Sequence, residues 1–134
     1  MYPWANLRRF RTDIIARMEL LACLISLFCF QPELTDKLAT LYTDNQVASR
    51  WLHKSRSGNR LDNQFLACYE LQKYKLRCKI SPAWIPGHQN VTADSLSRNS
   101  IPEWLRRRGT RRSCDLEGVA YMINNAELSW RTIL

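Results

Sequence analysis

The residues best suited to chemistry lie between Trp84 and Arg98, in the order Trp-Ile-Pro-Gly-His-Gln-Asn-Val-Thr-Ala-Asp-Ser-Leu-Ser-Arg. An apolar strand stops at Pro86-Gly87, and the chain then presents an imidazole (His88), an amide (Asn90) and a carboxylate (Asp94). A histidine on a turn, followed by a carboxylate at the start of a helix, suits hydrolysis, in which a metal is held and a proton moves nearby. A Pro-Gly turn before an ordinary capped helix explains the same letters with His88 merely exposed. Two further carboxylates bear on the choice. Glu19 sits at the margin of an apolar helix, where it needs water, a basic neighbour or a metal. Asp44 stands where a strand gives way to a helix, the end of an open α/β sheet at which ligands bind. A helix N-cap is the competing role for Asp44. Oxygen donors gathered at one sheet edge are what magnesium or manganese takes. Two such ions about 4 Å apart activate water and stabilise the leaving oxygen in phosphodiester hydrolysis.

The elements that must position these groups follow from hydrophobic spacing. Residues 1–11 mix aromatics with Arg8, Arg9 and Arg11 and read as a basic, irregular lead-in. Thr12 is placed to cap a helix whose apolar stripe runs Ile14, Ile15, Met18, Leu21, Ala22, Ile25 and Phe28, ending before Pro32. Gln31 to Lys37 is a polar link. Leu38 to Thr43 reads as a short buried strand, and Val47, Ala48, Trp51 and Leu52 return to helical spacing. Lys54 to Arg60 is a basic, flexible loop, and Leu61, Phe65, Cys68, Tyr69 and Leu76 trace another helix. Cys78 to Ile85 is the second strand, with Pro82 marking it as an edge or a break. A further short helix fits within Ser113 to Leu134.

The chain of 134 residues suffices for one domain with a modest core. Lysine and arginine number 20 against 12 acidic residues, a formal charge of +8 that favours a polyanionic partner, nucleic acid before membrane. Arg106, Arg107, Arg108, Arg111 and Arg112 form the densest basic run and are the candidate nucleic-acid contacts. The five cysteines show neither metal-ligand spacing nor a disulfide framework, and Cys23, Cys29 and Cys68, set among apolar residues, read as buried thiols of an intracellular, reducing compartment. No apolar run is long enough to span a bilayer. No phosphate-cradling glycine motif and no nucleophile-histidine-acid set stands out. An unrelated helical DNA-binding protein fits poorly, because Trp51 and Leu52 make the Asn45 to Lys54 helix look like core rather than a recognition helix.

Taken together, Glu19-Leu20-Leu21-Ala22, Thr43-Asp44-Asn45 and the stretch from Ile85 to Arg98 resemble the ribonuclease H domain of retroelement reverse transcriptases, of the DIRS-like kind. The resemblance runs from about Ile14 to Arg98, and its final stretch is the specific part. It implies an α/β fold with helices packed on a sheet and a Mg2+ (or Mn2+) site that cleaves RNA in RNA–DNA hybrids. Carried over, Glu19, Asp44 and Asp94 would be the metal ligands, with Glu19 also placing the attacking water and His88 shuttling protons during product release. The family opens with a three-stranded meander carrying a first catalytic aspartate, whereas eighteen residues precede Glu19 here and hold no such meander. Asp13 falls on the Glu19 helix and does not supply it. The expectation is an incomplete ribonuclease H-like fold over residues 12–100 with an Arg-rich extension over 101–134. Such a domain would have impaired hydrolysis or act as a non-catalytic nucleic-acid-binding or docking remnant. Another chain would then complete its sheet.

Overall fold

A computed structural model describes residues 3–93 and 115–121, with side chains described for 14–93 and 115–121. Helix α1 (Pro3–Cys29) is followed by the single turn α2 (Gln31–Leu34), strand β1 (Leu38–Thr43), helices α3 (Gln46–Lys54) and α4 (Arg60–Leu76), and strand β2 (Lys79–Trp84). A 3-10 turn (Gly87–Gln89) comes next; residues 91–93 and 116–121 are helical. The architecture is mixed α/β, mostly helical, with one parallel strand pair among the described residues.

The expected lead-in is not irregular: α1 starts at Pro3 and runs through Thr12 without a break. No glycine or proline lies between Trp4 and Cys29. Alanine, leucine and arginine in that segment are strong helix formers, and interspersed aromatics had hidden the period. The expected polar link contains α2, which opens with proline in its first turn. Pro82 does not break β2. In this parallel ladder Lys79, Ser81 and Ala83 direct their backbone groups at β1, so the donor that Pro82 lacks would have faced outward.

The core lies between the helices and the inner face of the strand pair. Leu20, Cys23, Leu24 and Leu27 of α1 meet Leu52 of α3 and Phe65, Leu66, Cys68 and Tyr69 of α4, with Leu41 and Ile80 packed on from the sheet. Val119 joins them from the segment 116–121, whose first turn is capped by Asp115 through the Gly118 N–H at 3.0 Å. Cys23 and Cys68 are buried free thiols, in line with the sequence reading; Cys29, expected with them, is only half-buried, and Cys78 is buried as well. Burial pushes the Cys68 thiol up to about 11 and, with the charge of Glu19 adding to it, Cys23 up to about 12, which leaves both unreactive.

Two polar devices set the helices and strands. Arg17 of α1 donates to the carboxylate of Asp62 on α4 at 2.7 Å, and Asp62 is 1% exposed. Asp36 and Arg77, both in left-handed backbone conformation, meet where the two strands begin. The Arg77 guanidinium donates to both Asp36 oxygens at 2.6 and 3.0 Å, and the Asp36 N–H donates to Leu76 O at 3.0 Å. The guanidinium also holds the Asp36 carboxyl below its usual range. The two strand starts are thereby clamped side by side.

Arg17→Met is expected to strand the buried Asp62 charge and lower stability by about 2–3 kcal/mol, somewhat under the range for fully buried pairs because Arg17 keeps partial solvent access. Urea unfolding followed by circular dichroism would measure it.

Candidate functional site

The carboxyl end of the strand pair is where the candidate side chains gather. β1 ends at Thr43, which is 3% exposed, and the chain turns outward at Asp44. Asp44 is not the cap of α3. That role falls to Asn45, whose side-chain oxygen accepts from Ala48 N at 2.8 Å, leaving the Asp44 carboxylate exposed and uncommitted to the helix. Across the ladder, Ile85 N donates to Thr43 O at 3.0 Å and Trp84 Nε1 donates to Asp44 O at 3.0 Å. These bonds pull the Pro86–Gly87 turn over Asp44, so that a Cβ on Gly87 would stand 3.5 Å from Asp44 Oδ2. His88 follows on that turn and is exposed.

Glu19 reaches the same place from α1. Its carboxyl is half-buried and is raised above the usual glutamate range, with the nearby Thr43 side chain acting weakly in the opposite direction. Burial is the main cause, and the negative charge of Asp44 is the second. A helix carboxylate and a strand-end carboxylate, 25 positions apart by their numbers, thus share one electrostatic site. Packing of Leu20, Cys23 and Leu24 into the core leaves Glu19 on the side of α1 next to the strand end.

The structure therefore brings together Glu19 and Asp44, with the His88 turn beside Asp44. Asp94 and the arginines at 106, 107, 108, 111 and 112 lie outside the described residues. Residues 91–93, ahead of the position at which a helix was expected to begin, are helical. Among the described residues no three His, Cys, Asp or Glu side chains form a metal-holding group. The pair Glu19–Asp44 offers hard oxygen donors of the kind magnesium takes, and a cation there would offset the repulsion that raises Glu19.

The basic loop from Lys54 to Arg60 is joined by Arg50 of α3, which the sequence reading did not connect with it. Arg50, Lys54 and Arg56 line a cleft of about 550 Å³ together with Trp51, Val47, Ser57 and Gly58. No carboxylate pairs with these three cations among the described residues. The loop carrying Arg56 is not slack. Ser55 Oγ donates to Glu70 at 2.9 Å, Ser57 N donates to Asn63 Oδ1 at 2.7 Å, and Asn63 Nδ2 donates back to Ser57 O at 2.9 Å. The i, i+4 spacing of Arg50 and Lys54 was the available signal. It was masked because Trp51, which also packs on the core, reads as a purely buried residue.

Compared with known proteins, the chain matches no family model, no curated protein and no solved structure.

Asp44→Asn is expected to lower the Glu19 pKa toward the ordinary glutamate value by removing the facing charge, leaving the part caused by burial. A carboxyl raised in the folded state costs stability above its folded pKa, and that cost disappears as pH falls below the unfolded value. Stability of the native chain should therefore fall less steeply with rising pH through this window once Asp44 is neutral. Carboxyl-carbon NMR titration of Glu19 would read the first effect, and melting temperature against pH the second.

Proposed function

We propose that this chain is a ribonuclease H-like domain of retroelement type that binds RNA–DNA hybrids and has little hydrolytic power of its own. The observation that carries the reading is the meeting of Glu19 and Asp44 at the carboxyl end of a parallel strand pair, beside the turn that bears His88. The residues that meet are those the ribonuclease H resemblance names, drawn from separate segments of the chain. The basic cleft beside α3 and the net charge of +8 favour a polyanionic ligand on the same molecule.

In this reading Glu19 and Asp44 would hold Mg2+, with Asp94 as the third ligand. The bound ion would supply an activated water and charge stabilisation at the leaving oxygen. Glu19, kept partly out of water and above its usual pKa, is suited to orient and deprotonate a nearby water. His88, on an exposed turn next to the pair, is free to carry a proton outward. The phosphodiester backbone would run over Arg50, Lys54 and Arg56. The weak point is the carboxylate count. Asp13 belongs to α1 along with Glu19, so among the described residues no strand-borne aspartate stands as counterpart of the family's bridging aspartate. Two-metal hydrolysis depends most on that residue. Binding without turnover is therefore the reading favoured over an active nuclease.

The purified chain is expected to bind a short RNA–DNA hybrid with affinity that drops steeply as salt rises, and to show negligible magnesium-dependent cleavage. Fluorescence anisotropy and gel analysis of labelled RNA would measure the two. Efficient cleavage abolished by Asp94→Asn would overturn the impaired reading, and salt-independent or absent binding would overturn the nucleic-acid reading. Arg50→Ala/Lys54→Ala should weaken binding about tenfold and shallow the salt slope by roughly two phosphate contacts.

A further inference from the structure

The basic cleft beside α3 does not end at its loop. Ser55, between Lys54 and Arg56, donates from Oγ to Glu70 of α4 at 2.9 Å, and Lys73 donates from Nζ to both oxygens of the same carboxylate at 3.1 and 3.3 Å. Glu70 and Lys73 in turn line a second hollow, of about 790 Å³, which continues over Tyr74, Lys75, Arg77 and Lys79 to the start of β2. Two concave basic surfaces thus meet at one carboxylate. The length of β2 sets Lys79 roughly 16 Å from Trp84, so the second hollow reaches the end of the strand pair opposite Asp44.

The acids on this path are already matched, Glu70 by Lys73 and Asp36 by Arg77. No carboxylate pairs with Lys75 or Lys79 among the described residues, as with Arg50, Lys54 and Arg56, and all five cations are exposed. Cations in the last turn of a helix offset its dipole, which accounts for Lys73 and Lys75 but not for Lys79 on a strand. Nor does it account for Tyr74, a ring 62% exposed between two lysines. Trp51 holds the equivalent place in the first cleft, partly exposed among Arg50, Lys54 and Arg56.

We propose that the two hollows form one track for single-stranded nucleic acid, with phosphates on the five unmatched cations and bases against Trp51 and Tyr74. A basic groove interleaved with aromatic rings holds single strands because every nucleotide brings a phosphate and every base a face that stacks. A duplex keeps its bases stacked on one another and leaves such rings unused. DNA and RNA share both features, so the surface takes either. The track starts on the helix that follows Asp44 and leads away from the Glu19–Asp44 pair, where it receives the unpaired strand extending from a hybrid. The proposal rests on the nucleic-acid reading of the α3 cleft and adds that the strand beyond the hybrid is held as well.

The test is fluorescence anisotropy of the whole chain with a blunt RNA–DNA hybrid and with the same hybrid carrying overhangs of about eight unpaired nucleotides. The overhangs are expected to tighten binding at least about tenfold. Tyr74→Ala should remove about fivefold of that gain, and Lys75→Gln/Lys79→Gln should lower the salt slope for the overhang substrate by about 1.4, with blunt-hybrid binding unchanged in both. Circular dichroism verifies folding of these exposed-site variants. Overhangs that add nothing overturn the proposal and leave the hybrid reading standing. A gain indifferent to the substitutions also overturns it, because the strand then follows another surface. So does polyglutamate that displaces the overhang substrate as readily as an unlabelled single strand, which would mark the surface as one for acidic protein. Overhang binding that responds to both substitutions without any binding of the blunt hybrid sustains the track and overturns the hybrid reading instead.

Discussion

The pairing of β1 with β2 is the constraint on which the molecule depends. The strands lie far apart in sequence, with two helices between them, and a parallel ladder of six residues each is a modest source of stability. Its position is secured at both ends by polar bonds. The Asp36–Arg77 pair and the Asp36 N–H to Leu76 O bond align the strand starts; Ile85 N and Trp84 Nε1 tie the strand ends to Thr43 and Asp44. A shift of β1 by one residue would carry Leu41 out of the core and Leu38 and Tyr42 into it.

From that register follows the geometry of the candidate site. Thr43 is buried because it is the last inward residue of β1, and the next residue, Asp44, emerges where β2 delivers the Pro-Gly turn. Helix α1 completes the arrangement. Its core stripe and the Arg17–Asp62 bond to α4 set the rotation of the helix, and Glu19 consequently meets Thr43 and Asp44. Burial of Glu19, with the charge of the exposed Asp44 adding to it, disfavours the charged form of the glutamate. Such repulsion is retained where an opposite charge is to be received, and it is a physical reason to regard this end of the sheet as the functional one.

The same chain places its basic groups on the neighbouring elements. Arg50 and Lys54 follow from Asp44 along α3, and Arg56 is held by a loop stiffened through Ser55, Ser57 and Asn63. A polyanion lying in that cleft would be carried on the helix that starts beside the carboxylates.

What the sequence determined by itself was local. The positions of the two strands, of the long helix ending before Pro32 and of the helices on either side of the basic loop follow from apolar spacing and chain-breaking residues, which act over a few positions. Their buried faces did not, since β1, expected buried, exposes Leu38 and Tyr42, and α1 buries Leu20, Cys23, Leu24 and Leu27 while Ile14, Ile15 and Met18 of the expected stripe face solvent. The candidacy of Glu19, Asp44 and His88 was local as well, because each interrupts an apolar pattern or ends one. The start of α1 was hidden by aromatics in a segment of strong helix formers, and the cap of α3 proved to be Asn45, one residue beyond the strand-end acid. Only tertiary structure decided that Glu19 lies within reach of the charge of Asp44 and that Arg50, Lys54 and Arg56 line one cleft. Those are relations between segments distant in the chain, set by strand register and helix rotation, and neither quantity is encoded in any single stretch of residues.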